Sequence, residues 1–388
     1  MTSIKTDIKF SIEVNVKMKT IIPEFKYKAD KHTVIENADF SVLDKMYAGR
    51  KAFYGDFHAH AATGGTSDGK TTLDEWKREM DKLGMDFVGI LDHRQVRHMY
   101  LTEFDPKYFL YGTEPAAIIT DEPMLDFHYL MIFEDRDTLR DVILPKNSKY
   151  EFTGGTEGHF QYKKYERAEF ENDIIKLVSE NGGTIVFAHP KLLMTSDNPE
   201  DYVLRGCRNM ETIYSVDDND ALCEHTVEYY KLWCGVLANG HRICTTATSD
   251  CHGAPKNEGV NTVYTTERLG CRFVEKLKTG DLNAGFIGIK MCITDDANTA
   301  PVGGDINYSE ELRILIKIDD VHSLKFDKNE AYRVDVISSE GLAYTAPLTI
   351  PFALSLKPEK RDFYRVEVIR ERDGSPCAIG NPIWLNLG

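Results

Sequence analysis

Residues 52–76 read AFYGDFHAHAATGGTSDGKTTLDEW, and residues 84–93 read GMDFVGILDH. Each stretch opens as a short apolar run. The first ends on His58 and His60, the second on Asp92 and His93. Between the two runs, Thr72-Leu73-Asp74-Glu75 fits a capping box, and Leu73, Trp76, Met80 and Leu83 fall on one helical face. A strand, a helix and a second strand therefore follow in order, which is the repeating unit of a parallel α/β sheet.

The pattern continues outward. A helix is expected around Glu166 to Asn181, stopped by Gly182 and Gly183, before the strand TIVFA, which leads into His189. A long helix from about Ala221 to Leu237 precedes ICTTATS, which leads into Asp250 and His252. His128 lies within the strand-like FHYLMIF, and a last helix covers roughly Cys271 to Lys278. This alternation predicts a mostly parallel sheet with helices outside it, open or closed into a barrel.

Three zones are expected. Residues 1–50 hold an N-terminal strand segment in which Ile8, Phe10, Ile12, Val14, Val16 and Met18 alternate with polar residues. Residues 51–295 form the α/β unit. Residues 296–388 look all-β, with alternation in Leu312, Ile314, Ile316 and Ile318, in Tyr332, Val334 and Val336, and in Tyr364, Val366 and Val368. The N-terminal strand needs a partner sheet and is expected to pack with that module.

The chain has 388 residues, a formal charge of −15 and 28 % charged residues, which excludes wholesale disorder and argues against a general nucleic-acid or membrane-surface binder. No run of 18 apolar residues and no unbroken apolar leader is present, so neither a membrane helix nor a secretory signal is expected. The eight cysteines are scattered without a C-x-x-C pair, which points to reduced thiols in the cytoplasm.

In parallel α/β folds, functional groups gather where strands end and the chain turns out of the sheet. A single histidine is usually structural. Several strand ends that each deliver His or Asp to one rim point instead to a metal site. Neutral imidazole and carboxylate suit borderline divalent metals. Residues i and i+2 of a strand share a face, so His58 and His60 can grip one ion, as can Asp250 and His252. His225, His241, His32 and His322 lack this placement and read as structural or surface residues, while His98 and His159 are candidates for substrate contact.

Gly64 to Thr71 also satisfies G-x-x-x-x-G-K-[ST], the phosphate-binding loop of ATPases. Three points oppose that reading. Asp68 would put a negative charge inside the phosphate cradle. His58 and His60 have no task in such a mechanism, and the loop starts several residues after the strand ends.

Taken together, these motifs resemble the PHP family, the polymerase and histidinol phosphatase superfamily of metal-dependent phosphoesterases. GDFHAHAATGGTSDGKTTLDEW resembles its first motif and GMDFVGILDH its second. Glu114 in YGTEP, then FHYLM, FAHP and ATSDCHG resemble the rest, over roughly Lys51 to Ile289. The resemblance implies a distorted (β/α)7 barrel carrying three divalent ions, with manganese, iron and zinc as candidates. It implies His58, His60, Glu114 and Asp250 for the first ion, the bridging Glu114 with His128 and His189 for the second, and Asp68, His93 and His252 for the third. The C-terminal AIGNPIWLNLG is similar to the small β module, sandwich-like, of a PHP branch that includes aryl-carbamate and amide hydrolases.

The expected activity is cleavage of a small phosphate mono- or diester by a metal-activated hydroxide. The alternative is carbamate, amide or ester hydrolysis on the same site. Asp92 is a candidate for supporting a ligand or handling a proton, Asp56 is a candidate for orienting a ligand histidine, and either can instead be a strand-end hydrogen-bonder. Arg94 and Lys191 are candidates for clamping phosphate, Arg through its fork and Lys as a point charge. Cys251 should point away from the metals. A non-catalytic binding module would be marked by lost ligands, yet all nine ligand positions are filled.

Overall fold

The computed structural model describes residues 32–143, 163–194, 196–214, 224–253, 259–295, 297–348, 351–356 and 363–386. The Ile8–Met18 alternation and His159 lie outside them.

The capping box forms as the residues dictate. The Thr72 hydroxyl accepts from Glu75 N–H and the Glu75 side chain returns to the Thr72 N–H, so the helix Leu73–Leu83 starts there and ends on Gly84 at φ 67°. Leu73, Trp76 and Met80 are buried. The Trp76 indole N–H donates to the His60 carbonyl at 3.0 Å, which ties the helix to the strand end above it. The later expected helices appear as the continuous helical segments Arg167–Phe170, Glu171–Lys176 and Leu177–Glu180, then Glu224–Ala238 and Gly270–Thr279.

Seven strands drawn from two sheets curl into a partial ring. Lys51–Ala59 pairs in parallel with Phe87–Ile90. Phe87–Ile90 and the segment after it meet the Tyr111–Thr113 region through parallel bridges, Val88 to Phe109 and His93 to Glu114. Tyr111–Thr113 pairs with Leu125–Phe133, and this strand with Gly183–Phe187. Gly183–Phe187 pairs in parallel with Asn209–Tyr214, and Asn209–Tyr214 with Cys244–Thr248. The last seam is held by Asp250 N–H to the His58 carbonyl and His60 N–H to the Cys251 carbonyl, both 2.9 Å. Phe57, Phe87, Leu91, Leu130, Ile132, Val186 and Ala188 belong to one buried cluster of this unit. Gly89 permits the first pairing to close, because a Cβ there would lie 2.2 Å from the Phe57 carbonyl oxygen.

The expected regular βα alternation gives way at one place. Leu125–Phe133 runs antiparallel to both ring neighbours and to Ala116–Ile119. The link from Ala116–Ile119 back to it is too short for a crossover helix, so only a hairpin return is open to it. An antiparallel strand offers its N-terminal end to the rim where parallel strands offer their C-terminal ends. His128 therefore reaches the rim from early in its strand.

The C-terminal region is all-β among its described residues. One sheet orders Thr33–Val34, Phe352–Leu356, Leu312–Val321, Ile287–Thr294 and Thr299–Pro301. A second runs from Asp305–Asn307 through Ile383–Asn386, Phe363–Arg370, Ser375–Gly380, Leu282–Gly285 and Asn261–Thr265 into Lys51–Ala59 of the ring. Leu312, Ile314, Ile316 and Ile318 from the first sheet and Tyr364, Val366 and Val368 from the second share a buried core, as alternation on inward faces requires. Strands on either side of residue 295 pair with one another in the first sheet, and Thr33–Val34 lies at its edge. No described helix is long and apolar enough to cross a membrane.

Candidate metal centre

Glu114 sits where the bridge to His93 bends the chain between Tyr111–Thr113 and Ala116–Ile119. Its carboxylate is buried, and five imidazoles surround it. His93 Nδ1 lies at 2.8 Å, His128 Nδ1 at 2.9 Å and His189 Nε2 at 3.0 Å, with His58 Nε2 and His60 Nε2 each at 3.3 Å. Asp250 Oδ1 lies 2.9 Å from His60 Nε2 and 3.4 Å from His58 Nε2. Asp68 Oδ1 lies 3.2 Å from His252 Nε2 and 3.5 Å from His93 Nε2. His58 and His60 are sealed, whereas His93, His128, His252 and Asp68 are partly exposed and form the mouth.

All nine residues expected as ligands are therefore brought together. Three sets have donor atoms within 4.8 Å of one another: His58, His60, Glu114 and Asp250; His60, Asp68, His93 and His252; and His93, Glu114 and His128. The first has the membership that the family resemblance implies. His60 joins the set around Asp68, and His93 takes the place beside Glu114 and His128 where His189 was expected. His189 touches Glu114 from outside that set.

His58 Nε2 and Glu114 Oε2 are buried and make no hydrogen bond. Leaving such groups unmet costs about 1–3 kcal/mol each, more when charged. They face each other at the centre of the cluster, so the donor set fits a divalent cation. Four of the five non-glycine residues with positive φ among the described residues also lie here: Arg94, His189, Lys191 and Asp250. Strained backbone concentrated at one place is typical of functional sites.

The electrostatics run the same way. Burial alone would lower His58, but Glu114, Asp250 and Glu211 outweigh it and hold the ring well above its ordinary pKa. Burial also opposes His60, which Asp250 and Glu114 bring up to about 9. Glu114 is held well below the carboxylate range by His58, His128 and His189 despite its burial. Asp56 is pushed up to about 7 by burial, against its hydrogen bonds from Ser249 and from His58 N–H.

The remaining sequence candidates divide. Asp56 accepts from the His58 backbone N–H at 2.9 Å and from Ser249, so it orients the His58 main chain rather than its ring. Asp92 is buried and spends its carboxylate on Ala61 N–H at 2.9 Å, Gln95 at 3.2 Å and the Thr63 hydroxyl. It anchors the loop after the first strand. Arg94 N–H donates to the Glu114 carbonyl at 3.0 Å, and Lys191 Nζ pairs with Asp197 at 2.8 Å. His98 is fully buried, so it offers no face to a substrate. Cys251 packs into the cluster with Trp76 and Ala59, as its alternation requires. His32, His241 and His322 bond to Tyr364, Glu200 and the Gly84 carbonyl. His225 stands beside Tyr214, with ring centroids 5.9 Å apart.

The phosphate-loop reading of Gly64 to Thr71 does not survive the geometry. Its amide groups are directed at protein acceptors: Thr66 N–H to Gln95, Ser67 N–H to Gly64, Gly69 N–H to the Ser67 hydroxyl and Lys70 N–H to the His252 carbonyl. A phosphate cradle needs those N–H groups free. The loop serves instead to carry Asp68 to His93 and His252.

Two polar residues escaped the sequence reading. Glu211 Oε1 lies 2.9 Å from His58 Nδ1, and its Oε2 accepts from His189 N–H at 2.6 Å. The Tyr214 hydroxyl donates to Asp250 Oδ2 at 2.8 Å. The signal was the one carboxylate in NMETIY, since a charge in a buried strand needs a partner.

No protein-family model and no curated protein matches the chain. Solved structures do. The two-domain protein from Bacteroides vulgatus containing a predicted PHP-like metal-dependent phosphoesterase aligns over 92 % of this chain and 99 % of its own, at 12 % identity and a TM-score of 0.41. The lesion-specific endonuclease Q of Pyrococcus furiosus aligns over 59 % of this chain and 56 % of its own, at 14 % identity and a TM-score of 0.39. An endonuclease Q complex with a 27-mer duplex carrying an abasic lesion aligns over the same shares, at 12 % identity and 0.37. This chain resembles the PHP superfamily. Its motifs occur in the family's order and they converge on one rim, and these two observations carry the resemblance further than such distant structural likenesses do.

Proposed function

We propose that this chain is a PHP-type metal-dependent hydrolase that cleaves a phosphate ester of a small molecule. The observation that carries the reading is Glu114, a buried carboxylate with five imidazoles within 3.3 Å. Packing so many ligand-type groups against one another away from water is costly without a cation to share. His58, His60, Glu114 and Asp250 would hold one ion, Asp68, His93 and His252 a second, and Glu114 with His128 and His189 a third. Manganese, iron and zinc are the candidates. A seven-stranded PHP barrel is the framework this reading assigns to the ring.

Bound divalent metal supplies a hydroxide nucleophile at neutral pH and Lewis-acid stabilisation of the developing charge. The chain's own residues do the rest. The buried floor of His58, His60 and Glu114 excludes water from beneath the reacting group, and the open rim of His93, His128 and His252 admits the ester. Arg94 and Lys191 sit on the turns just past His93 and His189, where a cation would meet the phosphate of a substrate. The net charge of −15 supports a small substrate over nucleic acid. The scattered cysteines support a cytoplasmic location.

The test is a set of initial rates with manganese-loaded protein, with and without chelator. The substrates are an aryl phosphate monoester, an aryl phosphodiester, an aryl carbamate and a single-stranded oligonucleotide. Chelator-sensitive turnover of an aryl phosphate is expected. Turnover of the carbamate alone moves the reading to carbonyl chemistry, and turnover of the oligonucleotide alone overturns the small-molecule assignment.

A further inference from the structure

Of the seven strands that curl round the site, Asn209–Tyr214 is the one that brings none of the nine expected ligands to the rim. It brings Glu211 and Tyr214 instead, and both reach groups of the cluster from behind. We propose that Glu211 and Tyr214 are positioning residues that set the ligand geometry of the centre. This inference rests on the metal-dependent reading above.

Glu211 makes two contacts with two different expected ligands. Oε1 takes the Nδ1 side of His58, which leaves Nε2 as the face turned to Glu114 Oε2 and Asp250 Oδ1. Oε2 takes the backbone N–H of His189. An imidazole whose Nδ1–H is bound to a carboxylate has its ring orientation and tautomer fixed, and the lone pair falls on Nε2. Tyr214 acts on Asp250 in a matching way. Its hydroxyl occupies Oδ2, and Oδ1 is the oxygen turned to His58 and His60.

The backbone supplies an independent argument. His189 has φ 24° and Asp250 has φ 49°, values that L-residues adopt at a cost. They are the only two of the nine expected ligands with positive φ, and Glu211 and Tyr214 grip both of them, with Glu211 holding the His58 ring as well. Glu211 bonds the very amide whose conformation is unusual. A strained conformation persists where surrounding bonds over-determine it, and this strand supplies those bonds. The two residues are three apart, and the register shift between Thr246 and Ala247 in the pairing with Cys244–Thr248 falls between them, opposite Glu211 and Ile213. That irregularity is how one strand presents a group to His58 and another to Asp250.

The test is calorimetric titration of manganese(II) into chelator-treated protein, for wild type, Glu211→Gln and Tyr214→Phe. Thermal melts without metal serve as the folding control. Glu211→Gln keeps the shape but cannot accept from both His58 and His189, so affinity is expected to fall about 10–100-fold. Tyr214→Phe removes one oxygen and is expected to lose up to about 10-fold, with a metal-free melt close to wild type. Nitrogen-15 NMR of the wild-type imidazoles should show His58 protonated on Nδ1, and this signal should change in Glu211→Gln. Wild-type binding together with unchanged affinity in both variants overturns the positioning role and leaves the metal reading intact. No manganese binding by wild type overturns the metal reading, and this inference with it. Glu211→Gln that fails to fold leaves the decision with Tyr214→Phe, whose unchanged affinity would then refute the role of the strand.

Discussion

His58 Nε2 and Glu114 Oε2 face each other at 3.3 Å in the floor of the ring, both buried and neither in a hydrogen bond. The pair comes from two strands that do not touch as neighbours, the first and the third of the ring. Its position puts Glu114 within 3.3 Å of five of the cluster's imidazoles. Glu114→Gln keeps the volume and removes the charge, and it should cost more metal affinity than the roughly 10–100-fold that loss of an outer partner costs. Hydrolysis should fall in parallel, read as kcat for an aryl phosphate at saturating manganese.

Replacing His58 and His60 together by Ala should abolish hydrolysis while the far-ultraviolet circular dichroism stays as in wild type. Both side chains point to the centre and contribute nothing to the strand's backbone ladder, which is held by main-chain bonds. Full activity in that variant would sink the metal assignment.

Proton competition gives a pH prediction with a definite sign. In the metal-free protein His60 is raised from 6.5 to about 9 and His58 is raised as well, so their contribution to stability is complete below about pH 6.5. It is lost as pH climbs through about 9. Glu114 and Asp250 are lowered, so their contribution is present above their unfolded values and is lost in acid. Metal-free protein should therefore melt highest between about pH 5 and 6.5, the window these shifts define. Metal binding must displace the histidine protons, so manganese affinity should rise over the range where metal-free stability falls. Melting temperatures with and without manganese from pH 5 to 9 check both slopes.

Gly69 has no room for a side chain. A Cβ there would lie 2.4 Å from the Ala61 nitrogen and 2.6 Å from the His60 carbonyl carbon. Gly69→Ala must push the Asp68 loop away from the first strand. We expect a loss of about 1–3 kcal/mol, as for overpacking, and weakened binding at the set holding Asp68. Lys70→Ala, at an exposed position in the same loop, should leave hydrolysis within about 2-fold, as a change at an exposed site away from the chemistry does. A large loss in Lys70→Ala would revive the ATPase reading.

The β module is tied to the ring by a buried pair. Arg365 Nε donates to Glu367 Oε1 at 2.9 Å, and the Tyr230 hydroxyl of the helix Glu224–Ala238 donates to the same carboxylate at 2.8 Å. Glu367→Ala strands a buried guanidinium and should cost about 3–5 kcal/mol, whereas Arg365→Met with Glu367→Leu should cost clearly less. Chemical denaturation of the three proteins decides this.

Much of this arrangement was legible beforehand, because local rules apply where local residues decide. The capping box at Thr72 and Glu75 set one helix start, and alternation in Leu312–Ile318 set a buried strand face. Ligand types at strand ends set the rim. What escaped depends on long-range pairing. Nothing local to FHYLMIF says that its strand runs antiparallel, since period-2 alternation is the same in either direction. Glu211 and Tyr214 reveal their partners only once the strand 209–214 lies beside His58, His189 and Asp250. Asp92 has the residue type of a catalytic group, and its burial among Ala61, Thr63 and Gln95 makes it a structural anchor.

The most direct test of the central claim is the metal content of the protein, measured by elemental analysis beside its His58→Ala/His60→Ala variant. Both samples are taken after saturation with manganese and removal of free ion. Two to three equivalents of tightly held metal in wild type and a loss of at least one in the variant are predicted, with aryl phosphatase activity tracking the bound metal. Wild type that retains no metal, or a variant that retains as much as wild type, would contradict the account.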